Sequence, residues 1–102
     1  MPIMEISIVP IGTKTASISK YVADALKIIE KEKHIKYQLT SMGTIVESSS
    51  LDKLLRLAKK MHQIVLKKEG KRIVTTIKID DRLDKKLTME GKVESVTRKI
   101  GN

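Results

Sequence analysis

Three short stretches of this 102-residue chain carry side chains that could do chemistry. Asp80, Asp81 and Asp84 put carboxylates close together, the raw material for acid–base catalysis or a Mg²⁺ site. Arg82, Lys85 and Lys86 interleave with them, a pattern better read as a solvated, ion-paired turn. Gly12-Thr13-Lys14-Thr15 is like the end of a phosphate-binding loop, but such a loop needs an earlier glycine where Ile8 stands. What remains there is an anion contact offered by Gly12 and Thr13 ahead of a helix. His34 and His62 are the only imidazoles, and neither has the neighbours of a metal site. Ser48-Ser49-Ser50 lacks the glycine-flanked turn of a nucleophilic serine and reads as a helix entry. With no cysteine, thiolate catalysis, disulfides and Cys-based metal sites are excluded. No catalytic residue, metal or cofactor is expected, so function should lie in binding.

The elements that position these groups follow from periodicity. Ile3 to Val9 alternates, with Met4, Ile6 and Ile8 on one face and Glu5, Ser7 and Val9 on the other, giving a first strand. A loop over 10–16 precedes a helix capped by Ser17 or Ser19, with Ile18, Val22, Ala25, Leu26 and Ile29 inside, ending near Lys33-His34. Ile35 to Thr40 and Thr44 to Ser48 read as a hairpin around Ser41-Met42-Gly43. Leu51, Leu54, Leu55, Ala58, Met61, Val65 and Leu66 trace a second helix, with Gly70 placed to stop it. Arg72 to Asp80 alternates as a fourth strand. Leu87 to Ile100 has Met89, Val93, Val96 and Ile100 at helical spacing, weakened by Gly91.

Strand-helix-strand therefore occurs twice, which predicts an α+β, ferredoxin-like βαββαβ two-layer sandwich: a four-stranded antiparallel sheet, two helices on one face, and a short C-terminal helix. The chain is read as one domain over 1–102, its core about 3–82 and its segment 87–100 at an oligomer contact. The sheet face turned away from the helices collects Glu5, Ser7, Val9, Gln38, Thr40, Met42, Ile45, Glu47, Val74, Thr76, Lys78 and Asp80. That mixture of apolar and hydrogen-bonding groups has nothing left in a two-layer chain to cover it. A second copy packed on it would enclose a small polar-lined pocket. The ligand-binding residues expected there are Ser7, Val9, Gln38, Thr40, Met42, Glu47, Thr76 and Lys78.

Composition bounds the partners. Hydrophobic residues are 40% of the chain and charged residues 32%, enough for a packed core and unlike a disordered chain. No apolar run reaches the ~20 residues of a membrane span and the N-terminus lacks a signal pattern, so a cytoplasmic location is expected. The abundance of Lys and Ile with no Cys, Trp or Phe leans toward a thermophilic source. A formal charge of +9 attracts anions, but many of the basic residues fall on the second helix and just after it, where a solvated outer face explains them. RNA-recognition domains share this topology but stack bases on exposed aromatics, and this chain has only Tyr21 and Tyr37.

Four runs, in order, carry a resemblance: Ile8-Val9-Pro10-Ile11-Gly12-Thr13, Tyr37-Gln38-Leu39-Thr40-Ser41-Met42-Gly43-Thr44, Val74 through Arg82, and Thr88-Met89-Glu90-Gly91-Lys92-Val93. Together they resemble the thiamine-binding-protein family of small archaeal, bacterial and yeast proteins. The resemblance implies a ferredoxin-like subunit, a homotetramer built as a dimer of dimers, and binding of thiamine or its hydroxymethylpyrimidine part without catalysis. Gln38, Thr40, Ser7 and Thr76 match the donors and acceptors of an aminopyrimidine, and Glu47 or Glu5 would suit the thiazolium cation. A buried Lys78 beside a cationic ligand would be unfavourable unless a carboxylate pairs with it or the ligand carries phosphate. The alternatives are an oligomeric regulatory protein with a phosphate-like effector and a non-specific RNA-binding module.

Overall fold

The structure is a computed structural model that describes residues 1–12, 19–69 and 71–101, the side chain of Glu69 excepted. Its elements in chain order are β1 (Ile3–Pro10), α1 (Ser19–Glu30), β2 (Lys36–Leu39), β3 (Thr44–Glu47), α2 (Leu51–Glu69), β4 (Ile73–Asp80) and α3 (Met89–Ile100). The strands form one antiparallel sheet in the order β2-β3-β1-β4, the ferredoxin-like arrangement the alternation predicts. Thr13, Ser17, Ile18 and Gly70, named above as an anion contact, a cap, a core residue and a helix stop, lie outside the described residues.

Met4, Ile6 and Ile8 of β1 are buried with Val46 of β3 against Ala25 and Ile29 of α1 and Leu54, Leu57, Ala58, Met61 and Val65 of α2. The helix stripe is rotated from its predicted phase: Leu57 is in the core, whereas Leu51, Leu55 and Leu66 are exposed. Helix spacing defines a stripe but not its centre, and contact with β1 selects the Leu54-Leu57-Met61-Val65 line. Ser50 caps α2 by accepting the Lys53 N–H at 3.2 Å, while Ser48 Oγ accepts the Ser50 N–H at 3.3 Å, so the serine triplet does serve as a helix entry. Both edge strands keep helix-side residues in solvent, Tyr37 and Leu39 on β2 and Ile77 and Ile79 on β4, because two helices do not span four strands.

The β2–β3 turn closes at Thr40, whose N–H donates to the Gly43 carbonyl at 2.8 Å and whose hydroxyl donates to the same carbonyl. Thr40 Oγ1 also accepts from the Met42 and Gly43 N–H groups. The strand therefore ends at Leu39, and Thr40 and Met42 leave the sheet face to which alternation assigned them. α3 forms despite Gly91, which stands in its first turn with its N–H donated to the Thr88 cap at 3.0 Å. A Cβ at 91 would lie 2.8 Å from that hydroxyl, so glycine is the residue that lets the cap close. Among the described residues, no helix is long and apolar enough to cross a membrane.

Candidate ligand-binding site on the sheet face

Register fixes what lies on the face opposite α1 and α2. Glu47 and Asp80 flank Ile3, Ile45 and Lys78 flank Glu5, Thr76 adjoins Ser7, and Val74 adjoins Val9. On the far side of β3, Gln38 stands beside Ile45 and Lys36 beside Glu47. The expectation that the chain itself leaves this face bare needs correction: the first turn of α3 returns over the end marked by Ile3, Glu47 and Asp80.

Glu47 is the anchor. It is only 2% exposed, and its Oε1 accepts the Met89 N–H at 3.2 Å. Met89 opens α3, so a carboxylate meets one of the helix's unpaired N–H groups at the positive end of its dipole. Two exposed ion pairs flank this contact, Lys92 with Asp80 and Lys36 with Glu90. The hydrogen bond from Lys36 holds the Glu90 carboxyl below its usual range, and Glu90 raises the Lys36 ammonium in return.

Beneath the start of α3 lies a cavity of about 230 Å³. Ile3, Ile45, Met89 and Val93 supply its apolar surface; Glu5, Gln38, Lys78, Asp80 and Lys92 supply the polar groups. Its charges are matched, Glu5 with Lys78 at 3.8 Å and Asp80 with Lys92. Such exposed pairs are worth little in water and can exchange partners with a ligand at small cost. The Gln38 amide makes no hydrogen bond among the described residues and offers an acceptor and two donor hydrogens at one edge of an apolar slot. That arrangement suits a flat heteroaromatic ring with both donors and acceptors on its rim.

Of the residues expected to bind ligand, Gln38 and Lys78 line this cavity. Glu47 lies beside it but is engaged by α3. Ser7, Val9 and Thr76 continue along the same sheet face, farther from α3. Thr40 and Met42 line a separate cavity of about 370 Å³ between α1 and the hairpin turn, which Ser7 also borders. Gly12 is exposed and has a left-handed backbone, φ +78°. Ile3, Met89, Val93 and Lys92 also line the cavity and lie outside the set of binding residues that alternation predicts. The helical spacing already grouped Met89 with Val93; its docking on the chain's own sheet is the part alternation does not carry.

The other chemistry-bearing residues do not converge. His62 Nδ1 is 2.7 Å from Thr75 Oγ1 on the helix side of the sheet. Arg82 holds Asp84 through two hydrogen bonds at 2.6 and 2.5 Å, lowering that carboxyl to about 2. Among the described residues no cluster of three His, Cys, Asp or Glu side chains could hold a metal ion.

Residues 4–97 match the family described as thiamine-binding protein. The chain belongs to that family. Relatives include the UPF0045 protein YqgV of Bacillus subtilis, 46% identical with 98% of each chain covered. A UPF0045 protein of Methanothermobacter thermautotrophicus is 41% identical, with 94% of this chain and 96% of the relative covered. The crystal structure of the hypothetical protein MJ1052 of Methanocaldococcus jannaschii superposes with a TM-score of 0.84 at 39% identity, covering 93% of this chain and 94% of that one. A candidate thiamine biosynthesis or salvage protein of Thermotoga maritima shares the fold, with a TM-score of 0.78 at 20% identity, covering 93% and 97% of the two chains.

Proposed function

We propose that this protein binds thiamine or its hydroxymethylpyrimidine part in the cavity between the open sheet face and α3, and carries out no reaction on it. The observation that carries the reading is the Gln38 amide, without a hydrogen-bond partner among the described residues, at the edge of an apolar slot in a chain of the thiamine-binding family. Ile45 and Met89 would contact the ring faces while Gln38 pairs with the aminopyrimidine edge. Glu5 is the carboxylate left for a thiazolium, since Glu47 is committed to α3. The name of the Thermotoga maritima neighbour points the same way.

A second copy completes the site in this reading, within a homotetramer. Val93, Val96 and Ile100 form an apolar stripe on α3 that is 65%, 56% and 78% exposed. The RNA-binding alternative is not favoured, because the open face has no aromatic ring for base stacking. Calorimetric titration with thiamine and hydroxymethylpyrimidine tests the reading. Binding should be seen, and Gln38→Ala should weaken it about tenfold with the fold intact, the loss of one or two hydrogen bonds. Absence of heat with both compounds, or light scattering of a monomer at the titrated concentration, would refute it.

A further inference from the structure

β4 lies at one edge of the sheet, with β1 on its inner side and no strand on its outer side. The Ile11 N–H donates to the Arg72 carbonyl at 2.9 Å, in the same register that pairs Val9 with Val74 and Ile3 with Asp80. In an antiparallel ladder hydrogen-bonded pairs alternate with non-bonded ones, so Val74, Thr76, Lys78 and Asp80 spend their backbone groups on β1. Ile73, Thr75, Ile77 and Ile79 turn theirs outward, and among the described residues no other element bonds to them. Open edges are normally shortened, bulged, or guarded by proline or charge. β2, the opposite edge, is only four residues long. β4 runs for eight residues, pairs with β1 without a bulge, contains no proline, and has no charged side chain among the residues whose backbone faces out.

The side chains beside this edge are largely apolar. Ile77 and Ile79 are 43% and 37% exposed on the helix side, and Leu55 and Leu66 are exposed on the side of α2 from which His62 reaches Thr75. The charges at the two ends of the strand select the occupant. Lys71 and Arg72 precede β4, Asp80 ends it and Asp81 follows. A second copy laid antiparallel, with the two-fold axis at Thr76, pairs the whole strand: Ile73 faces the partner's Ile79 and Thr75 the partner's Ile77, each twice by symmetry. The same register sets Arg72 opposite the partner's Asp80 and Lys71 opposite the partner's Asp81. Asp80 already pairs with Lys92 at the surface and can take a second cation. Parallel, in-register alignment would instead set Lys71 and Arg72 against their own copies, cation against cation.

We infer that β4 is a self-association edge, which joins two copies of the chain into one continuous sheet across a two-fold axis at Thr76. This contact is separate from the α3 stripe and from the ligand cavity. Native-state hydrogen exchange on the full chain reads the edge directly: the amides of Thr75, Ile77 and Ile79 should exchange at least about tenfold more slowly than in Ile77→Lys, which sets a charge on the edge. Ile77 is exposed, so the variant should fold, and a melting curve checks this. By light scattering its assembly should have half the mass of the unaltered protein. The chain has no cysteine, so introduced thiols report the register. Val74→Cys and Lys78→Cys chains, co-expressed, should form a disulfide-linked dimer, because opposed residues of a non-hydrogen-bonded pair stand about 4.5 Å apart at Cα, within disulfide reach. Neither variant alone should do so. Fast exchange of all three amides in the unaltered protein, an undiminished mass in Ile77→Lys, or linkage from the mixture no greater than from either variant alone overturns the inference. None of these results bears on whether thiamine binds, which titration judges separately.

Discussion

Replacing Glu47 with alanine should loosen α3 from the sheet while leaving the core intact. The carboxylate is buried, accepts the Met89 N–H at 3.2 Å, and meets the N-terminal end of a helix of 12 residues. A hydrogen bond to a charged group contributes about 1.5–3 kcal/mol net, and its helix-end position adds about 0.3–1 kcal/mol. Burying the carboxylate costs part of this back, which leaves about 1–3 kcal/mol for the docking of α3, a 5- to 150-fold change in its open population. Glu47→Gln keeps an acceptor oxygen and should forfeit only the charge-dependent share. Global melting is a poor judge, because removing a buried carboxylate also relieves desolvation. Native-state hydrogen exchange is the sharper assay: amides in 92–100 should exchange faster in Glu47→Ala while those of β1 and β3 hold their protection. Unchanged exchange in α3 would show that Glu47 does not fasten it, and a uniform loss across β1 would show that its role is in the core.

Gly91→Ala should lack the gain of up to about 1 kcal/mol usual for such a change in a helix, because the new Cβ must displace the Thr88 hydroxyl and the cap with it; urea denaturation showing the full gain would contradict the geometry. Leu54→Ala, at a fully buried position between the sheet and α1, should cost about 2–5 kcal/mol in the same assay, and a cost below about 1 kcal/mol would place Leu54 outside the core. Asp84, lowered by Arg82 to about 2, should titrate there by carbon-detected NMR and return toward about 4 in Arg82→Ala. A depressed folded value means that the Asp84 contribution is present above the ordinary carboxylate range and is lost as pH falls through about 2. Glu90 follows the same sign, and its partner Lys36, raised in the fold, loses its contribution as pH climbs through the raised value. The tether between β2 and α3 should therefore weaken at both extremes and hold between them, measurable as exchange of α3 amides across pH after correction for intrinsic rates.

The sequence determined the sheet and what faces which way along most of it. Period-two alternation in β1 and β4 is long enough to fix each residue's side, and the register bears this out from Ile3 with Asp80 to Val9 with Val74. Capping chemistry fixed the start of α2 at the serine triplet, because a side-chain acceptor for free helix N–H groups is a local requirement. Alternation misled at Thr40 and Met42, where hydrogen bonds closing the turn end the strand before the pattern runs out. The placement of α3 rests on contacts between residues far apart in the chain. Its apolar spacing states that one side needs cover but is silent on which surface supplies it. The contact that answers joins Glu47 to Met89, residues 42 positions apart, and no local rule links a strand's last carboxylate to a helix that begins so far along the chain. The slot beneath α3 exists because that contact, together with the Lys92–Asp80 and Lys36–Glu90 pairs, seats the helix there.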